Sequence, residues 1–214
     1  DSYDLAATSQ HVFEQKLFKL IDPYVSDNDN FIIVGGCGLN VLFNQKFKKL
    51  TTGLDKQFYV PSNPNDCGLA LGQYLIKHPE SKFNVYNGFE LLDKSDLDMY
   101  IKSRNAKKVT ISEIVDLIKN GKIIGHVEGN SEIGPRALGN RSIICDPSIA
   151  DMKDILNAKV KFREWFRPFA PVCRLEDKDI FFNQAYESEF MSYAPLVKNK
   201  YKSKLKSICH HDGS

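Results

Sequence analysis

The sequence predicts an α/β protein, because short apolar segments of strand type alternate with longer stretches of helical apolar spacing, and glycine turns join the two. Residues 4–21 place Phe13, Leu17, Leu20 and Ile21 on one helical face, and Pro23 is expected to end that helix. Phe31-Ile32-Ile33-Val34 reads as a strand buried on both faces. Gly35-Gly36-Cys37-Gly38 then leads straight into an apolar helical segment, Leu39 to Phe43. Strand, glycine turn and helix in that order make the geometry of a phosphate cradle, since free N–H groups and the helix dipole point at the turn. Gln57 to Val60 reads as a second strand, and Pro61 to Asn65 as a turn. Asp66 then stands at the N-cap of a helix from Gly68 to Ile76.

Lys77 to Gly88 is polar and turn-rich, which places a domain boundary there and divides the chain into residues 1–87 and 88–214. Thr110 or Ser112 caps a helix carrying Ile111, Ile114, Val115 and Ile118, closed by Asn120-Gly121. Ile123 to Val127 is the next strand, and a lone histidine such as His126 in an apolar strand is usually a satisfied core residue. A loop from Glu132 to Ser142 follows, and Ile143-Ile144-Cys145 leaves it as a strand. Asp151 to about Val160 is a helix with Met152, Ile155 and Leu156 inward. It delivers the chain to a second Pro- and Arg-rich loop, Lys161 to Pro171. The remainder, with Phe181, Phe182, Phe190 and Met191, shows no clear period.

The 214 residues carry a net charge of +2 with no basic stripe, which argues against a nucleic-acid surface. Five cysteines with no C-x-x-C pair suggest neither a disulfide framework nor a zinc site, and a reducing cytoplasm is the expected compartment. No apolar run approaches the roughly 20 residues of a membrane span, and no leader opens the chain. The start at Asp1 suggests a piece of a longer protein. Phe-rich segments left exposed in such a piece would favour association, a homodimer included.

Arginine usage is more informative than net charge. Of six arginines, five (Arg136, Arg141, Arg163, Arg167 and Arg174) fall within 39 residues, whereas the 23 lysines are dispersed. A guanidinium fork suits phosphate or carboxylate, so the cluster suggests an anion site; structural pairing with Asp146, Asp151, Asp154 and Glu164 is the competing account. The two Arg-rich loops are joined by one strand and one helix and are expected to converge at one end of a sheet. Lys161 and Arg163, two apart on an extended strand, would then share a face with room for several phosphate oxygens. Asn140 and Ser142 would add uncharged donors. A cysteine nucleophile is disfavoured, because neither Cys145 nor Cys173 has a histidine near it in sequence.

Gly134-Pro135-Arg136-Ala137-Leu138-Gly139-Asn140-Arg141-Ser142, with Lys161-Phe162-Arg163-Glu164 and Phe166-Arg167-Pro168-Phe169-Ala170-Pro171, closely resembles the O-carbamoyltransferases of nodulation-factor and antibiotic biosynthesis. Gly35-Gly36-Cys37-Gly38-Leu39-Asn40 and Asp66-Cys67-Gly68-Leu69-Ala70-Leu71-Gly72 extend the resemblance over essentially the whole chain. The resemblance implies a partial actin-like (threonylcarbamoyl-transferase-like) segment followed by a YrdC-like twisted-sheet α/β domain. It further implies that the second domain makes carbamoyl-adenylate from carbamoyl phosphate and ATP with Mg²⁺, for transfer to a hydroxyl-bearing acceptor.

By the same resemblance Lys161 and Arg163 are catalytic, and Arg136, Asn140, Arg141, Ser142 and Arg167 hold carbamoyl phosphate and ATP. Gly35, Gly36, Gly38 and Asn40 would line a nucleotide turn. Asp66 would ligate iron or another divalent metal in the full transfer domain; here, without an upstream histidine pair, it is read as a helix N-cap, and transfer activity is expected to be absent. Two other readings stay open: a nucleotide- or phosphate-binding module without catalysis, and an enzyme like threonylcarbamoyl-adenylate synthase.

Overall fold

The computed structural model describes residues 1–90 and 94–214. Helix α1, Ser2–Val25, is capped by the Asp1 carboxylate, which accepts the Tyr3 N–H at 2.6 Å. It runs through Pro23 rather than stopping before it. A proline so close to the end removes one i→i−4 bond and leaves only a short tail beyond it, so the helix absorbs the loss.

Strand β1, Asn30–Ile32, leads through a 3-10 turn, Gly36–Leu39, into α2, Val41–Gly53, and back to β2, Gln57–Tyr59. The strands pair in parallel with Phe31 opposite Phe58, as a crossover helix requires. Phe43 and Phe47 of α2 are fully buried with Phe58 and Val60, and Phe13, Leu17, Phe18 and Ile21 of α1 close over them. Phe43 stacks on Phe47 at 5.7 Å between centroids, and Phe47 meets Phe58 edge-on at 4.8 Å. The expected burial on both faces does not hold: Ile32 and Val34 remain 68% and 65% exposed, because α1 and α2 pack on one face only.

A second 3-10 turn, Asp66–Gly68, precedes α3, Leu69–Lys77. Helix α4, Lys94–Ser103, has no counterpart in the sequence reading. Helix α5, Ile111–Lys119, opens on a full capping box: the Thr110 hydroxyl accepts from Glu113 N–H, and the Glu113 carboxylate accepts from Thr110 N–H at 2.6 Å. Strand β3, Ile124–Val127, pairs antiparallel with β4, Arg141–Ile144, setting His126 opposite Ser142. Arg141 and Ser142 are thus strand residues, where the sequence placed them in the loop.

Helix α6, Met152–Ile155, buries Met152 and continues into a wider π-type turn, Leu156–Lys161, ended by Phe162 in the left-handed region at φ 48°. A last unit comprises α7, Lys178–Phe181, strands β5, Phe182–Asn183, and β6, Leu196–Val197, and α8, Asn199–Lys202, around Phe182, Ala185 and Val197. The α/β class holds, as a mixed helical fold in which the described strands form three two-stranded sheets. No helix among the described residues is long and apolar enough to cross a membrane.

Candidate functional site

The loop between β3 and β4 is built around a carboxylate. Glu132 Oε1 accepts backbone N–H groups from Leu138 at 2.6 Å, Asn140 at 2.9 Å and Arg141 at 3.3 Å. Burial acts to raise the Glu132 pKa, and the N–H bonds from Leu138, Arg141 and Asn140 outweigh it, so the carboxyl titrates below its ordinary value. The other side of the loop is tied by His126 Nδ1 to the Gly139 carbonyl at 2.8 Å and by Gly139 N–H to the Ser142 hydroxyl at 3.0 Å. The Arg141 Nη groups are engaged inside this structure, Nη1 donating to the carbonyls of Glu128 and Asn140 and Nη2 to that of Gly129, while its buried Nε finds no partner among the described residues. Asn140 likewise donates its side-chain amide to the Asn130 carbonyl.

The tip of the loop leans on the N-terminal part of the chain. Oriented to satisfy both partners, the Asn63 amide donates to the carbonyls of Ile133 at 2.7 Å and Ser62 at 3.0 Å. Gly134, at φ 136°, lies directly against the Asn63 side chain, where any Cβ would collide. Arg136 comes next. It is half-buried and lines a crevice of about 10 Å³, room for about one water, with Gly38, Ser62, Pro64 and Met191. Among the described residues no acidic side chain pairs with it. An open groove of about 350 Å³ adjoins the crevice through Val60, Phe190 and Ser192 and is lined further by Lys48, Tyr59, Tyr186, Glu189 and Tyr193. That volume lies in the range of small-molecule sites.

The second Arg-rich loop has a different centre, Asn157, which is 1% exposed. Its amide nitrogen donates to the carbonyls of Trp165 at 3.2 Å and Arg167 at 3.0 Å, and its oxygen accepts from Arg163 Nε at 2.7 Å. Arg163 also lies over the Phe169 ring at 4.5 Å. Burial and the neighbouring Arg167 lower its pKa. Lys161 ends the π-type turn, so the expected strand with Lys161 and Arg163 on one face is not formed; Phe162 in the left-handed region separates them. Lys161 is exposed, and Arg167 pairs with Glu164 at 3.1 Å. Among the described residues no hydrogen bond or ion pair joins this loop to the loop of Arg136 and Arg141.

Residues 1–75 match the model of the carbamoyltransferase N-terminus, and residues 115–214 match that of the carbamoyltransferase C-terminus. The chain belongs to the carbamoyltransferase family. It is 36% identical over 193 residues to nodulation protein U of Rhizobium fredii, which covers 86% of this chain and 32% of that protein. It is 35% identical over 188 residues to the 3'-hydroxymethylcephem-O-carbamoyltransferase of Amycolatopsis lactamdurans, covering 85% and 35%. A nodulation protein U of Azorhizobium caulinodans is 31% identical over 223 residues, covering 99% and 39%. The chain thus spans about a third of the length of the relatives it matches.

In the N-terminal family segment, the glycine turn packs on the stretch that precedes Asp66. Gly35, at φ 84°, donates its N–H to the Pro64 carbonyl at 2.5 Å, and a Cβ on Gly38 would stand 2.9 Å from the Pro64 ring; Gly36 has open space at that position. Asn40 caps α2 by accepting from Phe43 N–H at 3.0 Å and exchanges amide bonds with Gln10 at 2.9 and 3.1 Å. Asp66 is exposed, and the cap of its short turn is Asn65; its carboxylate makes no capping bond, which corrects the N-cap expectation. The backbone there turns tightly into 3-10 geometry before the α-helix begins, and this displaces Asp66 from the capping position. Among the described residues no three His, Cys, Asp or Glu side chains converge. One exposed carboxylate does not make a metal centre, so the residues present do not fit a resident metal. The thiols of Cys145 and Cys173 are pushed up, by burial first and then by Asp146 and Asp177, which keeps them protonated and poorly nucleophilic.

Sequence reasoning missed Glu132 and Asn157 as organisers. An acid two residues before a Gly-Pro-Arg turn is a signal for the first, since a glycine-rich loop leaves N–H groups seeking an anion.

Proposed function

We propose that this chain is the phosphate-handling part of an ATP-dependent O-carbamoyltransferase, working on carbamoyl phosphate and MgATP. The observation that carries this reading is a half-buried Arg136 with no acidic partner among the described residues, in a chain of this family. Adenylation needs two polyanions held against their mutual repulsion and a leaving pyrophosphate neutralised, and it needs no protein nucleophile. The oxygen of the carbamoyl unit attacks the α-phosphorus, the new O–P bond forms, and the α–β bond breaks to release pyrophosphate. Starting from carbamoyl phosphate, the balance takes up one water and releases one phosphate. Mg²⁺ arrives with the triphosphate as part of the substrate.

Arg136 and Lys161 are the cations we assign to phosphate. Arg167 joins them readily, because its half-exposed pair with Glu164 contributes only about 0–1 kcal/mol. Arg141 and Arg163 act as struts that shape the two loops. The groove beside the crevice is the space we assign to the hydroxyl acceptor, whose hydroxyls match its tyrosines and glutamates.

Binding without turnover is the second reading, favoured by the engagement of Arg141 and Arg163 in their own loops. Calorimetric titration of MgATP tests the reading: the chain binds it, and Lys161→Ala weakens binding about tenfold, the effect of losing one charge-assisted phosphate contact. No MgATP binding by the parent chain overturns it.

A further inference from the structure

We infer that Glu132 is the positioning residue of the anion site at Arg136, which rests on the phosphate-binding reading above. Three N–H groups converging on one oxygen form a nest of the kind that elsewhere holds a phosphate, and here the chain's own carboxylate fills it. The loop backbone is therefore closed to a ligand, and anion recognition falls to the Arg136 side chain.

The same bonds set where that side chain stands. The Glu132–Leu138 bond closes a seven-residue span, 132–138, and Arg136 lies inside it. The supports from His126, Ser142 and Tyr86 all engage Leu138 or Gly139, on the strand side of that span. On the other side Asn63 holds Ile133. Glu132 is the side chain that ties one end of the span to the other. Without it, Arg136 hangs on a turn whose glycine and proline no longer have a common anchor.

The test is a titration of inorganic pyrophosphate into the chain and into Arg136→Ala, Glu132→Ala and Glu132→Gln, with amide exchange of Leu138, Asn140 and Arg141 followed by NMR. The parent chain binds, and Arg136→Ala weakens binding about tenfold or more. Glu132→Ala weakens it about tenfold and speeds exchange at those three amides, while Phe43 and Phe47 in α2 stay protected. Glu132→Gln, whose amide oxygen accepts the same N–H groups, restores most of the affinity. Unchanged pyrophosphate binding in Glu132→Ala, with the three amides freed, overturns the inference. Equal loss in both Glu132 variants, with α2 exchange rising too, marks a merely structural role and also overturns it. Binding that survives Arg136→Ala places the anion elsewhere and removes the inference but not the phosphate reading; no binding by the parent chain removes both.

Discussion

Arg163 donates from Nε to the side-chain oxygen of Asn157 at 2.7 Å, and that bond fixes what Arg163 is free to do. With its planar group also lying over Phe169 and one Nη directed at the Pro168 carbonyl, the guanidinium braces the loop from within. Its charge still contributes to the local field, but its geometry belongs to the protein.

Asn157→Ala therefore removes more than one contact. The carbonyls of Trp165 and Arg167 and the Arg163 Nε all lose a partner. The expected cost is about 2–4 kcal/mol, the range for leaving several polar groups of a buried network unpaired. Urea unfolding of the variant measures it; a loss within about 0.5 kcal/mol, as at an ordinary surface site, contradicts the hub assignment.

The seam between the two family segments is tested at Gly134. A Cβ there meets the Asn63 side chain, and φ of 136° is strained for any L-residue. Gly134→Ala is expected to cost about 2 kcal/mol or more. It should also loosen the Asn63–Ile133 bond, visible as faster exchange of the amides of Ser62, Asn63 and Ile133. Gly53→Ala, where nothing stands within 4 Å, is the control.

Tyr193 reports on packing between the first core and the C-terminal segment. It lies 6.4 Å from Phe58 between centroids, and burial, helped by Tyr59 and Tyr186, pushes its hydroxyl from 10.0 up to about 12. The folded value is raised, so the stabilisation is full below the unfolded value near 10 and is lost as pH rises through about 12. Ultraviolet difference titration should show one late-ionising tyrosine that disappears in Tyr193→Phe. If the variant titrates like the parent, Tyr193 is not packed against Phe58.

What was legible in the sequence is what local pattern controls. Strand β2, the capped helix α5 and the inward faces of Met152 and Leu156 follow from periodicity, caps and turn residues; of α2, Val41–Gly53, the sequence pattern marks only the start, at Leu39 to Phe43. The arginine loops were legible as loops, but their internal wiring was not, because it depends on where buried side chains meet. Asn157 looks like any polar residue of a helix until the chain folds back upon it. The π-type turn at 156–161 defeated the alternation argument for Lys161 and Arg163, since that argument presumes extended backbone. Arg141 and Ser142 entered β4 because strand pairing with Val127 and His126 overrode their loop-like neighbours. Pro23 is expected to end α1, but a proline in the last turn costs too little to stop the helix there.

Adenylation of a carbamoyl unit at these loops is tested by pyrophosphate release from MgATP, measured with and without carbamoyl phosphate. The expected release requires carbamoyl phosphate, is accompanied by one phosphate per pyrophosphate, and is lost in Lys161→Ala. Release that ignores carbamoyl phosphate, or a chain that binds MgATP yet releases nothing on its addition, contradicts it and leaves the binding module in its place.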